Sequence, residues 1–183
     1  MNYAYVMLAN GFEEIEALAV VDVLRRGGVD VFTVSITEET MVTSSHNITV
    51  QADIPFSKMK AEDAQVIVLP GGLPGTVHLK EKQELMDMVM RRHENKELIA
   101  AICAAPALIF GELGILDGRN ATCYRGMEEH MKGATYQKEE KAVKDGHIIT
   151  GCGMGGAIDF GLLILEQLKG KEVASDVKES ILY

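Results

Sequence analysis

The 183-residue sequence contains no tryptophan, only 5% aromatic residues and just three cysteines. So few rings leave little from which to build a carbohydrate- or base-stacking platform. Cys103, Cys123 and Cys152 form an odd set without CxxC spacing. That excludes a disulfide framework or a zinc site as the organising device and fits a reducing, cytoplasmic setting. Basic residues are also scarce: 18 Lys and Arg stand against 27 Asp and Glu, for a net charge of -9. A clustered basic face for nucleic acid is not expected, nor an attraction to anionic lipid. No apolar run approaches the roughly 18 residues of a membrane span. The first residues lack the basic start of a secretory signal, and acids follow almost at once. What is present is 47% hydrophobic and 25% charged residues, the balance of a soluble globular protein. The length predicts one domain, able to bury roughly 70% of its unfolded surface without staples.

Apolar runs and helical periodicities alternate along the chain. Tyr3–Ala9 reads as a buried strand closed by Asn10-Gly11, and Glu13–Gly27 as a helix with acids in its first turn. In that helix Ile15, Ala19 and Val23, with Leu18 and Val21, fall at helical spacings. Val29–Ser35 is a second strand, and Thr40–Gln51 alternates as a polar hairpin. Ala64–Leu69 is a third buried strand ending in Pro70-Gly71-Gly72, followed by a helical stretch to about Asn95. Leu98–Ile102 runs directly into Cys103, and Pro106–Leu113 reads as a helix stopped by Gly114–Gly118. Short strands are expected near Ala121–Tyr124, Thr135–Gln137, Ala142–Val143 and His147–Thr150, then a helix over Ala157–Leu168 and a short polar tail. Strands apolar throughout, alternating with amphipathic helices, predict an α/β protein with a mostly parallel, doubly wound sheet covered on both faces. Ligands in such sheets sit at the carboxyl ends of the strands.

That rule selects Asn10-Gly11, Pro70-Gly71-Gly72, Cys103 and the run Gly151–Gly156. Cys103 stands on a strand-to-helix turn among small residues, Ala100-Ala-Ile-Cys-Ala-Ala-Pro106, as a nucleophile on a tight turn requires. Unpaired N–H groups and the positive end of the following helix lower thiol pKa values at such places. The alternative is a small buried hydrophobe. Glu16 shares a helix face with Phe12, Ala19, Val20 and Val23. A carboxyl buried there resists ionising and remains a proton donor near neutrality. Glu13 and Glu14 read as ordinary first-turn acids. The backbone amides of Pro70-Gly71-Gly72 and of Ala104 are candidate donors to a developing oxyanion. Gly151-Cys-Gly-Met-Gly-Gly156 satisfies the G-x-G-x-x-G pattern, yet it comes at the end of the alternating units rather than in the first. Close backbone approach to a neighbouring loop or subunit explains these glycines better than a dinucleotide does.

Taken together, Leu8-Ala-Asn-Gly-Phe-Glu-Glu-Ile-Glu16, Asp22-Val-Leu-Arg-Arg26, Val68-Leu-Pro-Gly-Gly72, Ala100-Ala-Ile-Cys-Ala-Ala-Pro106 and Gly170-Lys-Glu-Val-Ala174 make the chain resemble the ThiJ/PfpI family over nearly its whole length. The resemblance implies a flavodoxin-like three-layer sandwich and a homodimer. It makes Cys103 the nucleophile and Glu16 its protonated neighbour, with Gly71, Gly72 and Ala104 around the bound anion. It also implies chemistry without metal or cofactor: glyoxalase or deglycase action on small carbonyls or glycated protein, redox-regulated chaperone action through oxidation of Cys103, or, in a related branch, proteolysis. Three positions depart from the family pattern. Tyr124 stands where some members carry a histidine, which disfavours a Cys-His-acid triad because a phenol is a poor base at neutral pH. Gly151-Cys-Gly-Met-Gly155 replaces Ser-Arg-Gly-Pro-Gly, losing an arginine and adding the thiol of Cys152. His46 takes a place that can hold an arginine near the dimer interface.

Overall fold

The computed structural model describes residues 2–183. The central sheet has seven strands: β1 (Tyr3–Leu8), β2 (Val31–Ser35), β5 (Ile54–Pro55), β6 (Ala64–Leu69), β7 (Ile99–Ile102), β10 (Ala142–Asp145) and β11 (Ile148–Gly151). Their order is β10-β11-β7-β6-β1-β2-β5. Every pairing is parallel except β10 with β11. Two small ribbons lie outside it: the hairpin of β3 (Met41–Thr43) and β4 (Thr49–Gln51), and the pair of β8 (Asn120–Ala121) with β9 (Thr135–Tyr136).

The period-two geometry of a strand explains why the inner strands are apolar throughout. Along β1, Ala4, Val6 and Leu8 enter the core on one face, while Tyr5, Met7 and Ala9 enter the core on the other. In β6, Val66 and Val68 pair with the first set and Ile67 and Leu69 with the second. The first face is covered by α1 (Glu14–Arg26), α4 (Ala157–Lys169) and α5 (Lys171–Ser180); the second by α2 (Gly75–Glu81), α3 (Gln83–Glu94) and the π-helical turn Pro106–Gly111. This is the expected three-layer, mostly parallel α/β sandwich.

Several local expectations change. The helical stretch after Gly72 is two helices, because Lys82 adopts an extended conformation between them. Residues 170–183 are not a plain tail: α5 lays Ala174 and Val177, with half-buried Val173 and Ile181, against the core. Ile15 and Leu18 are exposed, and α1 instead turns Glu16, Ala17, Val20, Val21, Val23 and Leu24 inward. The strand expected over Ala121–Tyr124 ends at Ala121, freeing the next residues to turn toward the carboxyl ends of β7 and β11.

Candidate active site

β1 leads into α1 and β2 on one side of the sheet, and β6 lies on its other side, so the topological switch falls between β1 and β6. The carboxyl ends of β1, β6, β7 and β11 converge there. At the end of β7, Cys103 has φ 65°, the left-handed region that a non-glycine residue occupies only at a cost. Its backbone is held on both sides: its N–H donates to Gly151 O at 2.9 Å, and its carbonyl accepts from Tyr124 N at 2.8 Å. The thiol at this turn is half-buried.

Glu16 reaches the same point from the first turn of α1. It is 1% exposed, and its Oε2 accepts from Gly71 N at 2.9 Å. Burial pushes its carboxyl from 4.5 up to about 7; a hydrogen bond with Cys103 opposes this, the charge of Glu13 adds to it, and the Gly71 and Met154 amides again oppose it. Glu16 is therefore poised to exchange a proton at neutral pH. The Cys103 thiol is pushed up, by burial first, then by the Glu16 charge and the hydrogen bond to Glu16, while the Gly72 and Ala104 amides facing the sulfur pull the other way. The lowered thiol expected from the helix start alone is not what this site provides, because burial and the carboxylate outweigh two amides.

Glycine makes the convergence possible. A Cβ on Gly71 would lie 2.5 Å from Cys103 Cβ and 2.6 Å from Glu16 Oε2, so any side chain there would drive the pair apart. Gly72, at φ 90°, would bring a Cβ to 2.4 Å from Glu13 N, where the loop is pinned to α1 by Glu13 N donating to Gly71 O at 2.9 Å. A Cβ on Gly153 would stand 3.5 Å from the Tyr124 ring, 3.8 Å from Glu16 Oε1 and 3.9 Å from Cys103 Sγ. Tyr124 and Gly153 also line an open groove of about 610 Å³, together with Arg125, Tyr136, Lys141 and Cys152.

Residues 2–167 match the DJ-1/PfpI family. The chain belongs to this family. It is 40% identical to Protein DJ-1 homolog B of Arabidopsis thaliana over 94% of its own length, and spans 39% of that longer protein. It is 31% identical to the Caenorhabditis elegans protein named Glutathione-independent glyoxalase DJR-1.2, covering 87% of this chain and 84% of the worm protein. Among solved structures, oxidized DJ-1 of Toxoplasma gondii superposes with a TM-score of 0.94 at 32% identity, covering 100% of this chain and 99% of that one.

Within this DJ-1/PfpI site the structure gathers Cys103, Glu16, Gly71, Gly72 and Ala104 around one sulfur, with Tyr124 at the rim and 54% exposed. The histidines are engaged elsewhere: His46 with Glu14, His78 with Asn10 O, His93 with His147, and His130 with Glu112. Cys123 is buried, and burial drives its thiol up to about 12. Cys152 is half-buried on the groove wall, its N–H donating to Lys141 O at 2.9 Å. Sequence reasoning missed two contributors. Gly153-Met154 passes over the site, with the Met154 amide on Glu16; its glycine run had suggested packing only. Glu13 is no ordinary first-turn acid but the N-cap of α1, its Oε2 accepting from Glu16 N at 2.7 Å. The acid three residues before Glu16 was the available signal.

Proposed function

We propose that this DJ-1/PfpI chain is a cofactor-independent enzyme that uses Cys103 as a nucleophile on small reactive carbonyls of the glyoxal type. The observation carrying this reading is that Glu16 and the Gly72 and Ala104 amides meet at the Cys103 sulfur. The name of the worm relative supports the same substrate class.

In the proposed sequence, Sγ attacks the aldehyde carbon of a 2-oxoaldehyde as Glu16 takes the thiol proton. The carbonyl π-bond opens onto its oxygen, whose charge the Gly72 and Ala104 amides receive. Glu16 then returns the proton to that oxygen, giving a hemithioacetal. As a carboxylate once more, it removes the C–H proton next to sulfur. The electrons form a C=C bond to the adjacent carbon, and that carbon's carbonyl opens onto its oxygen, which takes the proton of the neighbouring hydroxyl. Reprotonation of that adjacent carbon by Glu16 gives a 2-hydroxy thioester, which water hydrolyses to the 2-hydroxy acid and free Cys103. The net change adds one water and consumes no electrons, so no external oxidant or reductant is required. Glycated protein is the larger substrate of the same class, for which the groove beside Tyr124 leaves access. A carboxyl near 7 suits a group that is base and acid in turn.

Methylglyoxal consumption coupled to lactate formation tests this. Turnover is expected in the native chain and loss of it in Cys103→Ala and Glu16→Ala; turnover persisting in Cys103→Ala overturns the reading.

A second reading uses the same sulfur. Peroxide oxidises Cys103 to sulfenic acid with release of water, and the converging amides stabilise the oxygen gained; the Toxoplasma relative was solved in an oxidized form. Intact-mass measurement after mild peroxide should find added oxygen confined to Cys103, and an inert Cys103 removes this reading. We also propose a homodimer, supported by exposed Ile15 and Leu18 on α1 and Ile48 on the β3–β4 hairpin. Sedimentation should give twice the chain mass, and a monomer contradicts it.

A further inference from the structure

The groove beside Cys103 is charged differently from the molecule as a whole. The chain carries a net charge of -9, yet the groove is lined by the cations Arg125, Lys138 and Lys141 against the acids Glu139 and Glu140. Glu139, Glu140 and Lys141 stand on a ridge, because they also line a second groove formed with α4 and α5. Lys141 is already engaged, by Asp159 at 3.3 Å and by the Tyr183 hydroxyl, to which its Nζ donates at 3.1 Å. Arg125 and Lys138 line the groove beside Cys103 and not the second one. No lining residue comes from α1 or from the β3–β4 hairpin, the surfaces given to the dimer.

The base of Arg125 is fixed by the site itself. Tyr124 N donates to Cys103 O at 2.8 Å, and Met127 N closes a turn on Tyr124 O at 3.1 Å, with Gly126 at φ 91°. A positive φ at the third residue alone makes this a type II turn, with Arg125 at its second position. Glu128, the nearest acid in sequence, is occupied: its Oε2 accepts from Gly126 N at 2.6 Å. Among the described residues the Arg125 guanidinium forms no hydrogen bond or ion pair, although its charge bears on the Tyr136 hydroxyl. The Tyr124 ring and the Cys103 sulfur both lie within 4 Å of one point, the Cβ position of Gly153. A molecule of a few carbon atoms bonded to the sulfur therefore extends past Gly153 into this groove.

We propose that Arg125, with Lys138 beside it, binds a carboxylate on the substrate, so that the site takes acidic 2-oxoaldehydes in preference to neutral ones. This rests on the Cys103 chemistry proposed above and names its substrate class. A guanidinium fork donates two parallel hydrogen bonds to one carboxylate, and no protein group holds the donors of Arg125. The carboxylate must stand a short carbon chain away from the aldehyde. One directly beside it would meet the Gly72 and Ala104 amides that receive the oxyanion. The 2-oxoaldehyde 4,5-dioxopentanoate, with two methylenes before its carboxylate, has this form. The same sequence of steps adds one water to it and gives 2-hydroxypentanedioate.

Initial rates with 4,5-dioxopentanoate and with methylglyoxal give the ratio of their kcat/KM values in the native chain, Arg125→Ala and Arg125→Lys. The native ratio should favour the acid on the order of tenfold, mainly through KM, and fall to near parity in Arg125→Ala. Arg125→Lys should restore part of it, because an ammonium keeps the charge without the fork. Arg125 is exposed, so its replacement spares the fold. A parallel arm needs no turnover: the rate of Cys103 alkylation by iodoacetate relative to iodoacetamide should drop severalfold in Arg125→Ala. A native chain that consumes neither aldehyde would sink the enzyme reading and leave the alkylation ratio to decide the anion site. A native preference for methylglyoxal, a kcat/KM ratio unchanged in Arg125→Ala, or an alkylation ratio unchanged in it each overturns the proposal.

Discussion

Replacing Glu16 by glutamine should make the protein more stable at neutral and alkaline pH while removing its activity. Glu16 is almost fully buried, and its carboxyl rises from 4.5 to about 7 on folding. Below the lower value the group is protonated in both folded and unfolded chains and contributes no difference. As pH rises from 4.5 to about 7, the unfolded chain releases its proton and the folded chain does not, so stability falls with pH. Above about 7 the loss is complete and constant, at about 3 kcal/mol from about 1.4 kcal/mol per pH unit. Glutamine removes this cost. Its oxygen can keep the acceptor role toward Gly71 N, but its amide group meets the Met154 N–H, for an offset of about 1 kcal/mol. Glu16→Gln should thus gain about 2 kcal/mol at pH 8, or about 4–8 °C in Tm for a chain of this size, and fall about 1 kcal/mol below the native chain at pH 4, where only the amide offset remains. Melting curves from pH 4 to 9 measure it. A difference that does not vary with pH, or a glutamine variant less stable at pH 8 than the native chain, would refute the reasoning.

Three other expectations follow from particular contacts. Gly71→Ala sets a methyl 2.5 Å from Cys103 Cβ and 2.6 Å from Glu16 Oε2; it should cost about 1–3 kcal/mol and abolish methylglyoxal turnover while the far-ultraviolet spectrum stays native. Arg92, with a side chain 5% exposed, donates to the carbonyls of Ala64, Gln65 and Leu98 and pairs with Glu97 at 3.0 Å. Arg92→Ala should lose about 3 kcal/mol in urea unfolding, and Arg92→Lys should not recover it, because an ammonium cannot reproduce the planar fork. Tyr124 is exposed at the groove rim, so Tyr124→Ala should raise KM for carbonyl substrate with kcat nearly constant; a collapse of kcat would place Tyr124 in the chemistry itself.

The strands legible as buried runs in the sequence were those covered on two faces, and α1, α4 and the β3–β4 hairpin were legible from their periodicity. β1, β6 from Val66 onward, and β7 are apolar runs because α1 and α4 cover one side and α2 and α3 the other. α5 escaped notice because only Ala174 and Val177 of its ten residues are buried, too narrow a stripe to stand out from a polar tail. β5, two residues ending in Pro55 at the sheet edge, gives no periodicity to read. At the site, Cys103 and Glu16 were legible for separate reasons: one follows a buried strand, and the other is an acid on a buried helix face. Their pairing was expected too, but the upward shift of the thiol that it brings was not. The helix-start argument addressed the thiol alone, whereas the folded chain also buries it and puts a carboxyl beside it. Gly153 and Met154 depend on how the loop after β11 folds back over β7, information carried by the tertiary arrangement rather than by spacing.

The central claim is that Cys103 and Glu16 share a proton and act as one unit. The most direct measurement is the rate of Cys103 alkylation by iodoacetamide against pH, read by mass spectrometry, in the native chain and in Glu16→Gln. A coupled pair should give a rate that rises with a midpoint near 7, where Glu16 becomes able to take the thiol proton, and then levels off. In Glu16→Gln that step should disappear. A native rate that climbs only through the alkaline range of a free thiol, near 8.5, and is the same in Glu16→Gln would contradict the account.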